Sequence, residues 1–110
     1  MRIDLEGVYT ALPEELPAAL HGRDVVIAGG SFEAALRLAE WCSSVTFVTA
    51  STARIASTKR ANVTILYGGE IVCADGVDRV ESVVVRKIRT GALCARNAAA
   101  LFLIRNGDQS

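Results

Sequence analysis

Apolar and polar positions in the middle of the chain follow first a strand pattern and then a helix pattern. Asp24 to Ala28 holds a continuous apolar run of strand length, typical of a parallel strand that is covered on both faces. After two glycines the apolar residues take helical spacing, at Phe32, Ala35, Leu36 and Ala39. Ser44 to Thr49 and Asn62 to Tyr67 are rich in β-branched and apolar residues, so they predict a second and a third parallel strand.

The pattern changes to that of antiparallel hairpins after residue 67. Short strands are predicted at Glu70 to Ala74, Val80 to Lys87 and Ala92 to Ala95. Asp75-Gly76 and Thr90-Gly91 separate these strands and are hairpin signals. Ala98 to Ile104 is again fully apolar, as expected for a last buried strand. We therefore predict an α/β fold, a Rossmann-like βαβαβ parallel sheet with an inserted three-stranded antiparallel meander.

The ends of the chain and one internal segment have weaker patterns. Pro13 and Pro17 allow at most a short, interrupted helix across Pro13 to Leu20. Thr52 to Lys59 is polar and predicts a brief helix. We predict a lead-in segment at residues 1–22, one domain at residues 23–105 and a tail at residues 106–110.

The junction between the first predicted strand and the helix carries the first candidate site. Its glycines let the backbone turn tightly, and the helix N-terminus offers free N–H groups to a pyrophosphate. We expect this contact at Ala28, Gly29, Gly30 and Ser31. The G-x-G-x-x-G/A fingerprint is incomplete, however, because Ala28 stands at its first glycine position and Glu33 at its closing small residue. The sequence therefore predicts weak dinucleotide binding.

Composition limits the partners that we expect. The chain has 110 residues, of which 51% are hydrophobic, and this is more apolar surface than one small core readily hides. We therefore expect a homo-oligomer or a partner protein. The 12 basic and 12 acidic residues give no net charge, which disfavours binding to nucleic acid or to an anionic membrane. No apolar run approaches the ~20 residues of a membrane-spanning helix, and no signal peptide is recognised, so we expect a cytoplasmic protein.

The sequence offers no group of residues suited to metal binding or catalysis. Cys42, Cys73 and Cys94 are odd in number and widely spaced, so we expect reduced, buried structural thiols and no metal. His21 has no second ligand nearby and is expected at the surface. The isolated carboxylates are expected to be helix-face and turn charges, not acid or base catalysts, at Glu33, Glu40, Asp75 and Asp78.

The order of these elements resembles the NAD(P)-binding domain of pyridine nucleotide-disulfide oxidoreductases, in particular the thioredoxin reductase branch. Asp24 through Leu38 is similar to the family's V-x-V-V-G-G-G-x-x-A-x-E-x-A-x-x-L run, and Ser43 to Val48 is similar to its second strand. Val77 to Gly91 resembles its meander, and Ala100 to Ile104 its closing strand. The resemblance covers nearly all of residues 23–105 and implies an NADP or NAD site.

Three departures from this family bear on activity. The resemblance implies a FAD-binding domain that is built from chain segments on either side of this one, and we find neither segment in these 110 residues. The family's redox C-x-x-C would fall near Gly7 to Leu20, which contains no cysteine, so dithiol chemistry is not expected. The loop between Gly30 and Phe32 is also about two residues shorter than the family's loop.

A fourth departure lies after the second predicted strand. NADPH-dependent members carry an H-R-R-x-x-x-R signature there, but this chain has Thr49 to Ile55 (TASTARI), without the paired arginines. No Asp or Glu stands there to bind the ribose hydroxyls of NAD. Ser51, Thr52 and Arg54 are the remaining candidates for contact with a 2′-phosphate. The implied cofactor is therefore NADP or NAD, bound weakly.

Two functional hypotheses remain open from the sequence. In the first, the chain is the NAD(P)H-binding component, or a degenerate relative, of a flavin-dependent disulfide reductase-like oxidoreductase. In the second, it has kept the fold, lost the cofactor, and works as a non-catalytic interaction or oligomerisation module. Either protein could be a natural stand-alone chain or a segment of a longer one.

Overall fold

The computed structural model describes residues 6–29, 32–52 and 61–104. The strands are β1 (Val8–Tyr9), β2 (Asp24–Ala28), β3 (Ser44–Thr49), β4 (Val63–Tyr67), β5 (Gly69–Asp75), β6 (Ser82–Lys87), β7 (Leu93–Asn97) and β8 (Ala100–Leu103). The helices are a 3-10 turn at Ala18–Leu20 and the α-helix α1 at Phe32–Ala39.

Five of the strands form one parallel sheet in the order β1-β8-β2-β3-β4. β2 lies at its centre, where Ala28 aligns with Val48 of β3 on one side and with Leu103 of β8 on the other. The three parallel strands predicted from their apolar runs are confirmed, as is the return of the last strand to this sheet. The predicted α/β fold with a separate antiparallel sheet is also confirmed.

The two faces of the parallel sheet are covered by different elements, because successive side chains of a strand point to opposite faces. Val25 and Ile27 of β2 face α1, in a cluster with buried Phe47 and Phe102. Val26 faces the meander, in a second cluster that comprises Val48, Ala74, Val80, Val83, Val85, Ala98 and Leu101. Covering both faces explains why β2 is apolar throughout its length.

The antiparallel meander has the predicted order β5-β6-β7 but different strand ends. β6 begins at Ser82, not at Val80, because the chain before it pairs with another segment. Arg79 forms an isolated parallel bridge with Glu6, and the Val80 N–H donates to the Glu6 carbonyl at 2.8 Å. β5 has an irregularity between Ile71 and Cys73, where the register with β6 shifts. A hydrogen-bonded hairpin joins β6 and β7, as predicted.

The segment before β2 takes part in the parallel sheet, which the sequence did not predict. β1 pairs with β8, and the ring of Tyr9 stacks on that of Phe102 with 4.9 Å between centroids. Leu16 and Leu20 are buried in the core on the α1 side. The 3-10 turn at Ala18–Leu20 confirms a short helix within Pro13 to Leu20.

The three cysteines that were expected to be buried differ in their exposure. Cys42 is buried as expected, with 6% of its surface exposed. The expected burial of Cys94 is wrong, because it lies on β7, the edge strand of the meander, where four of the five residues are exposed. Cys73 is half-buried.

Of the helix predicted at Thr52 to Lys59, every residue after Thr52 lies outside the described residues. Within the described chain, no helix is long and apolar enough to cross a membrane.

Candidate functional site

The first part of the candidate site is the carboxyl end of β2. Ala28 ends this strand, and its carbonyl accepts a hydrogen bond from the Ile104 N–H at 2.9 Å. Gly29 follows with φ of +82°, a conformation that glycine adopts without the steric cost imposed by a side chain. Gly29 therefore has the left-handed conformation that a tight turn after β2 requires.

The second part is the carboxyl end of the neighbouring strand, β3. The Ser51 N–H donates to the Thr49 hydroxyl oxygen at 3.2 Å, which turns the chain away from the strand. The Ser51 carbonyl accepts a hydrogen bond from the Gly68 N–H at 3.1 Å, and this ties the turn to the end of β4. Ser51 and Thr52 are exposed at this edge.

The structure brings four of the seven predicted site residues to one edge of the sheet. Ala28 and Gly29 follow β2, Ser51 and Thr52 follow β3, and these two strands are parallel neighbours in register. Gly30, Ser31 and Arg54, the other three, lie outside the described residues. The edge has the position that parallel α/β sheets use for ligands, beyond the carboxyl ends of their strands.

Helix α1 starts at this edge and is fixed at both ends. At its start, Phe32 packs edge-on against Phe47 of β3, with 5.5 Å between ring centroids. At its end, the Asn62 side-chain amide donates to the carbonyls of Ala39 at 2.9 Å and Cys42 at 3.2 Å. Sequence reasoning missed this role of Asn62, whose position before β4 gives no local sign of a partner twenty residues away.

The carboxyl edge of the sheet has one group that favours an anion and one that disfavours it. The first N–H groups of an α-helix have no partner within the helix, and they favour an anion there. Glu33, however, places an exposed carboxylate in the first turn of α1, where its charge would repel a phosphate. The described residues contain no cluster of three or more potential metal ligands.

The cysteine nearest to α1 is poorly suited to redox chemistry. Burial, and secondarily the charge of Asp24, raise the pKa of the Cys42 thiol to about 11. A thiol with so high a pKa is protonated at neutral pH, and the nucleophile in disulfide exchange is the thiolate.

Comparison with known proteins identifies the fold. No protein-family model matches the chain, and neither does any curated protein. The thioredoxin reductase of Lactococcus lactis matches 90% of the chain with a TM-score of 0.74 and 18% identity. That of Giardia duodenalis matches 94% with a TM-score of 0.74 and 24% identity. A ferredoxin-flavin thioredoxin reductase of Clostridium acetobutylicum matches 91% with a TM-score of 0.68 and 22% identity.

The match covers only part of each of these solved structures. It spans 36%, 39% and 33% of the Lactococcus, Giardia and Clostridium chains respectively. At such identities the likeness concerns the fold alone. The chain therefore has the α/β fold of one portion of thioredoxin reductases.

Proposed function

We propose that this chain binds NADPH or NADH as the pyridine-nucleotide domain of a thioredoxin reductase-like, flavin-dependent oxidoreductase. The observation that carries the proposal is the juxtaposition at the carboxyl edge of the sheet. There the left-handed Gly29 and the exposed residues Ser51 and Thr52 follow two adjacent parallel strands. The shared fold with thioredoxin reductases supports this use of the edge.

The donor groups at the edge suit a dinucleotide in kind. The turn at Gly29 leads into α1, whose first N–H groups would hold the pyrophosphate together with Gly30 and Ser31. Ser51 and Thr52 would donate hydroxyl hydrogen bonds to the adenosine ribose or its 2′-phosphate, and Arg54 would add charge. The absence of a carboxylate among Thr49 to Thr52 makes NADP the better candidate, since a carboxylate there would repel the 2′-phosphate.

The same edge also explains why we propose weak binding. Ala28 occupies the first glycine position of the fingerprint, and the exposed Glu33 carboxylate lies in the first turn of α1. Two arginine contacts that thioredoxin reductases direct at the 2′-phosphate have no counterpart in the sequence. Each such charge-assisted hydrogen bond contributes roughly 1.5 to 3 kcal/mol, so we expect a Kd in the millimolar range.

The bound nucleotide would supply a hydride, and the flavin that accepts it would be held outside these residues. The chain would contribute binding and orientation: the residues after β2 would hold the pyrophosphate, and those after β3 would hold the adenosine end. The high pKa of Cys42 argues against a direct redox role for that thiol in this process.

Isothermal titration with NADPH, NADP⁺, NADH and NAD⁺ tests the proposal. We expect weak heats that are largest for the two phosphorylated nucleotides. The double variant Ser51→Ala/Thr52→Ala should lose this preference. Ser43→Ala, an exposed serine at the opposite end of β3, should keep it. No detectable heat of binding with any of the four nucleotides would overturn the proposal and favour a domain that has kept the fold without the cofactor.

A further inference from the structure

We propose that the opposite, amino edge of the parallel sheet holds a second binding site, for a small carboxylic acid with an apolar body. A cleft of about 280 Å³ opens there between the segment before β2 and the connection from β5 to β6. The residues that line it include Glu6, Tyr9, Pro17, Leu20, Arg23 and Arg79. The volume is close to the lower end of the range of small-molecule sites, about 300 to 1,000 Å³.

The charged groups of the cleft leave one guanidinium without a counterion. Arg79 Nη2 lies 2.8 Å from Glu6 Oε2, so these two charges compensate each other. Within the described part of the chain, Arg23 has no hydrogen bond or ion pair from its side chain. The lining therefore has a net charge of +1, and an anion is the ligand that would balance it.

The neighbouring cleft helps to locate the anion. It has a volume of about 240 Å³, shares Arg23 and Arg79, and adds the carboxylates of Asp24 and Glu81. Because Arg79 is already paired with Glu6, these two carboxylates outnumber the one remaining arginine there and disfavour an anion, and Asp24 accepts a hydrogen bond from the Ser44 hydroxyl at 2.7 Å. An anion is therefore favoured in the first cleft, on the side of Arg23 that lacks Asp24 and Glu81.

The walls of the first cleft favour an apolar body beside the charge. Leu20 and Val80 are buried residues that line it, and Pro17 adds a ring. Tyr9 lines the cleft as well, with its ring held by the stack on Phe102 at 4.9 Å. A guanidinium binds a carboxylate with two parallel N–H···O bonds, so Arg23 would orient the acid while its body contacts these side chains.

The cleft is held in shape by backbone hydrogen bonds. The Leu20 N–H donates to the Pro17 carbonyl at 2.9 Å, and the Arg23 N–H donates to the Leu20 carbonyl at 3.1 Å. Across the cleft, Gly7 has φ of +101°, and a Cβ there would lie 2.9 Å from the Ala99 carbonyl oxygen. Such fixed walls lower the entropic cost of binding a small ligand.

Amide NMR titration with benzoate tests this second site on the whole chain. We expect benzoate to shift the amide resonances of Leu20, Arg23 and Ala99, and to leave those of Gly29 and Ser51 unchanged. Benzamide has the same ring without the charge, and inorganic phosphate has the charge without the ring, so both should bind more weakly. Equal binding of either probe, or no shift with benzoate up to about 20 mM, would overturn the proposal.

Variants separate the role of Arg23 from general effects of charge. Arg23→Gln should weaken benzoate binding about tenfold or more, since it removes a charge-assisted hydrogen bond. Arg23→Lys keeps the charge but not the two-pronged geometry, and should weaken binding by less. Arg37→Gln, on the exposed face of α1, should bind like the parent chain. Unchanged binding by both Arg23 variants, with folding verified by their thermal transitions, would contradict the assignment.

Discussion

Arg96 of β7 donates a hydrogen bond from Nη2 to the hydroxyl oxygen of Thr46 on β3, at 3.3 Å. Thr46 is 5% exposed, and no other polar or charged residue in the described part of the chain is buried. The bond joins the edge strand of the meander to the parallel sheet. It also turns the charge of Arg96 inward, a placement that discourages strand edges from pairing with other chains.

Removing the donor should cost more stability than removing the acceptor. Arg96→Ala leaves the Thr46 hydroxyl buried without its partner, at a cost of about 1 to 3 kcal/mol in the free energy of unfolding. Thr46→Val replaces the hydroxyl by a methyl group of similar shape and should cost less than about 1 kcal/mol, because the half-buried Arg96 can turn to water. Urea unfolding of both variants and of the double variant measures the difference. Equal costs would show that the hydrogen bond does not determine the effect.

Asn62 should stabilise the end of α1. Asn62→Ala removes two hydrogen bonds to the carbonyls of Ala39 and Cys42, and we expect a loss of about 1 to 2 kcal/mol. Asn62→Asp should be worse, since it places a carboxylate against carbonyl oxygens. Chemical denaturation followed by circular dichroism gives the values. Asn97→Ala, at an exposed position on β7, is the control, and a loss as large as that of Asn62→Ala would contradict this role.

Cys42 should make stability fall at alkaline pH. Its pKa is raised from the ordinary 9.0 to about 11, chiefly by burial and then by the charge of Asp24. Between these values the unfolded thiol loses its proton while the folded thiol keeps it, so the free energy of unfolding decreases with pH. Below pH 9 both states are protonated and this contribution is complete. Cys42→Ala should show a smaller slope across that interval, and an identical slope would contradict the assignment.

The three cysteines should react with a thiol reagent at rates that follow their exposure. Cys94 is exposed, Cys73 is half-buried and Cys42 is buried, so labelling by a thiol reagent at pH 8 should proceed in that order. Peptide mass spectrometry of a time course identifies each site. Early labelling of Cys42 in the native chain would contradict its high pKa and its burial.

Glu33 should limit the affinity of the proposed dinucleotide site. Glu33→Ala removes an exposed carboxylate from the first turn of α1, and NADPH should then bind a few times more tightly, as expected from about 0.3 to 1 kcal/mol at a helix N-terminus. Glu40→Ala removes an equal charge just beyond the other end of α1 and serves as the matched control. An equal gain in both variants would point to net charge alone, not to the position of Glu33.

The sequence predicted elements whose signal is local and missed those that depend on distant partners. β2, β3 and β4 were found because their apolar runs are as long as the strands themselves. β1 has only two residues, too few for a pattern, and it exists through its pairing with β8 far along the chain. Cys94 looked like a core residue because apolar character alone does not reveal that its strand lies at an edge.

The candidate site shows the same division. The glycine turn after β2 was predictable because a left-handed conformation selects glycine, and Gly29 has it. The tie between Ser51 and Gly68 was not predictable, since it joins the ends of two strands through backbone atoms that carry no sequence signal. The cleft beside Arg23 was not predicted for a related reason. Its charge balance depends on Glu6 and Arg79, which the fold brings together from distant positions in the sequence.

Self-association remains a prediction from composition, and the structure now suggests where to test it. Ile88 and Leu93 are 50% and 66% exposed at the two sides of the hairpin between β6 and β7. If the chain self-associates, these two large apolar side chains on one hairpin are the residues to test first. We therefore expect multi-angle light scattering to show a mass above 11.7 kDa that rises with concentration. Ile88→Ser/Leu93→Ser should lower the apparent mass, while Val77→Ser, at an exposed position in the other turn of the meander, should not. A constant monomer mass at high concentration would contradict the prediction for the isolated chain.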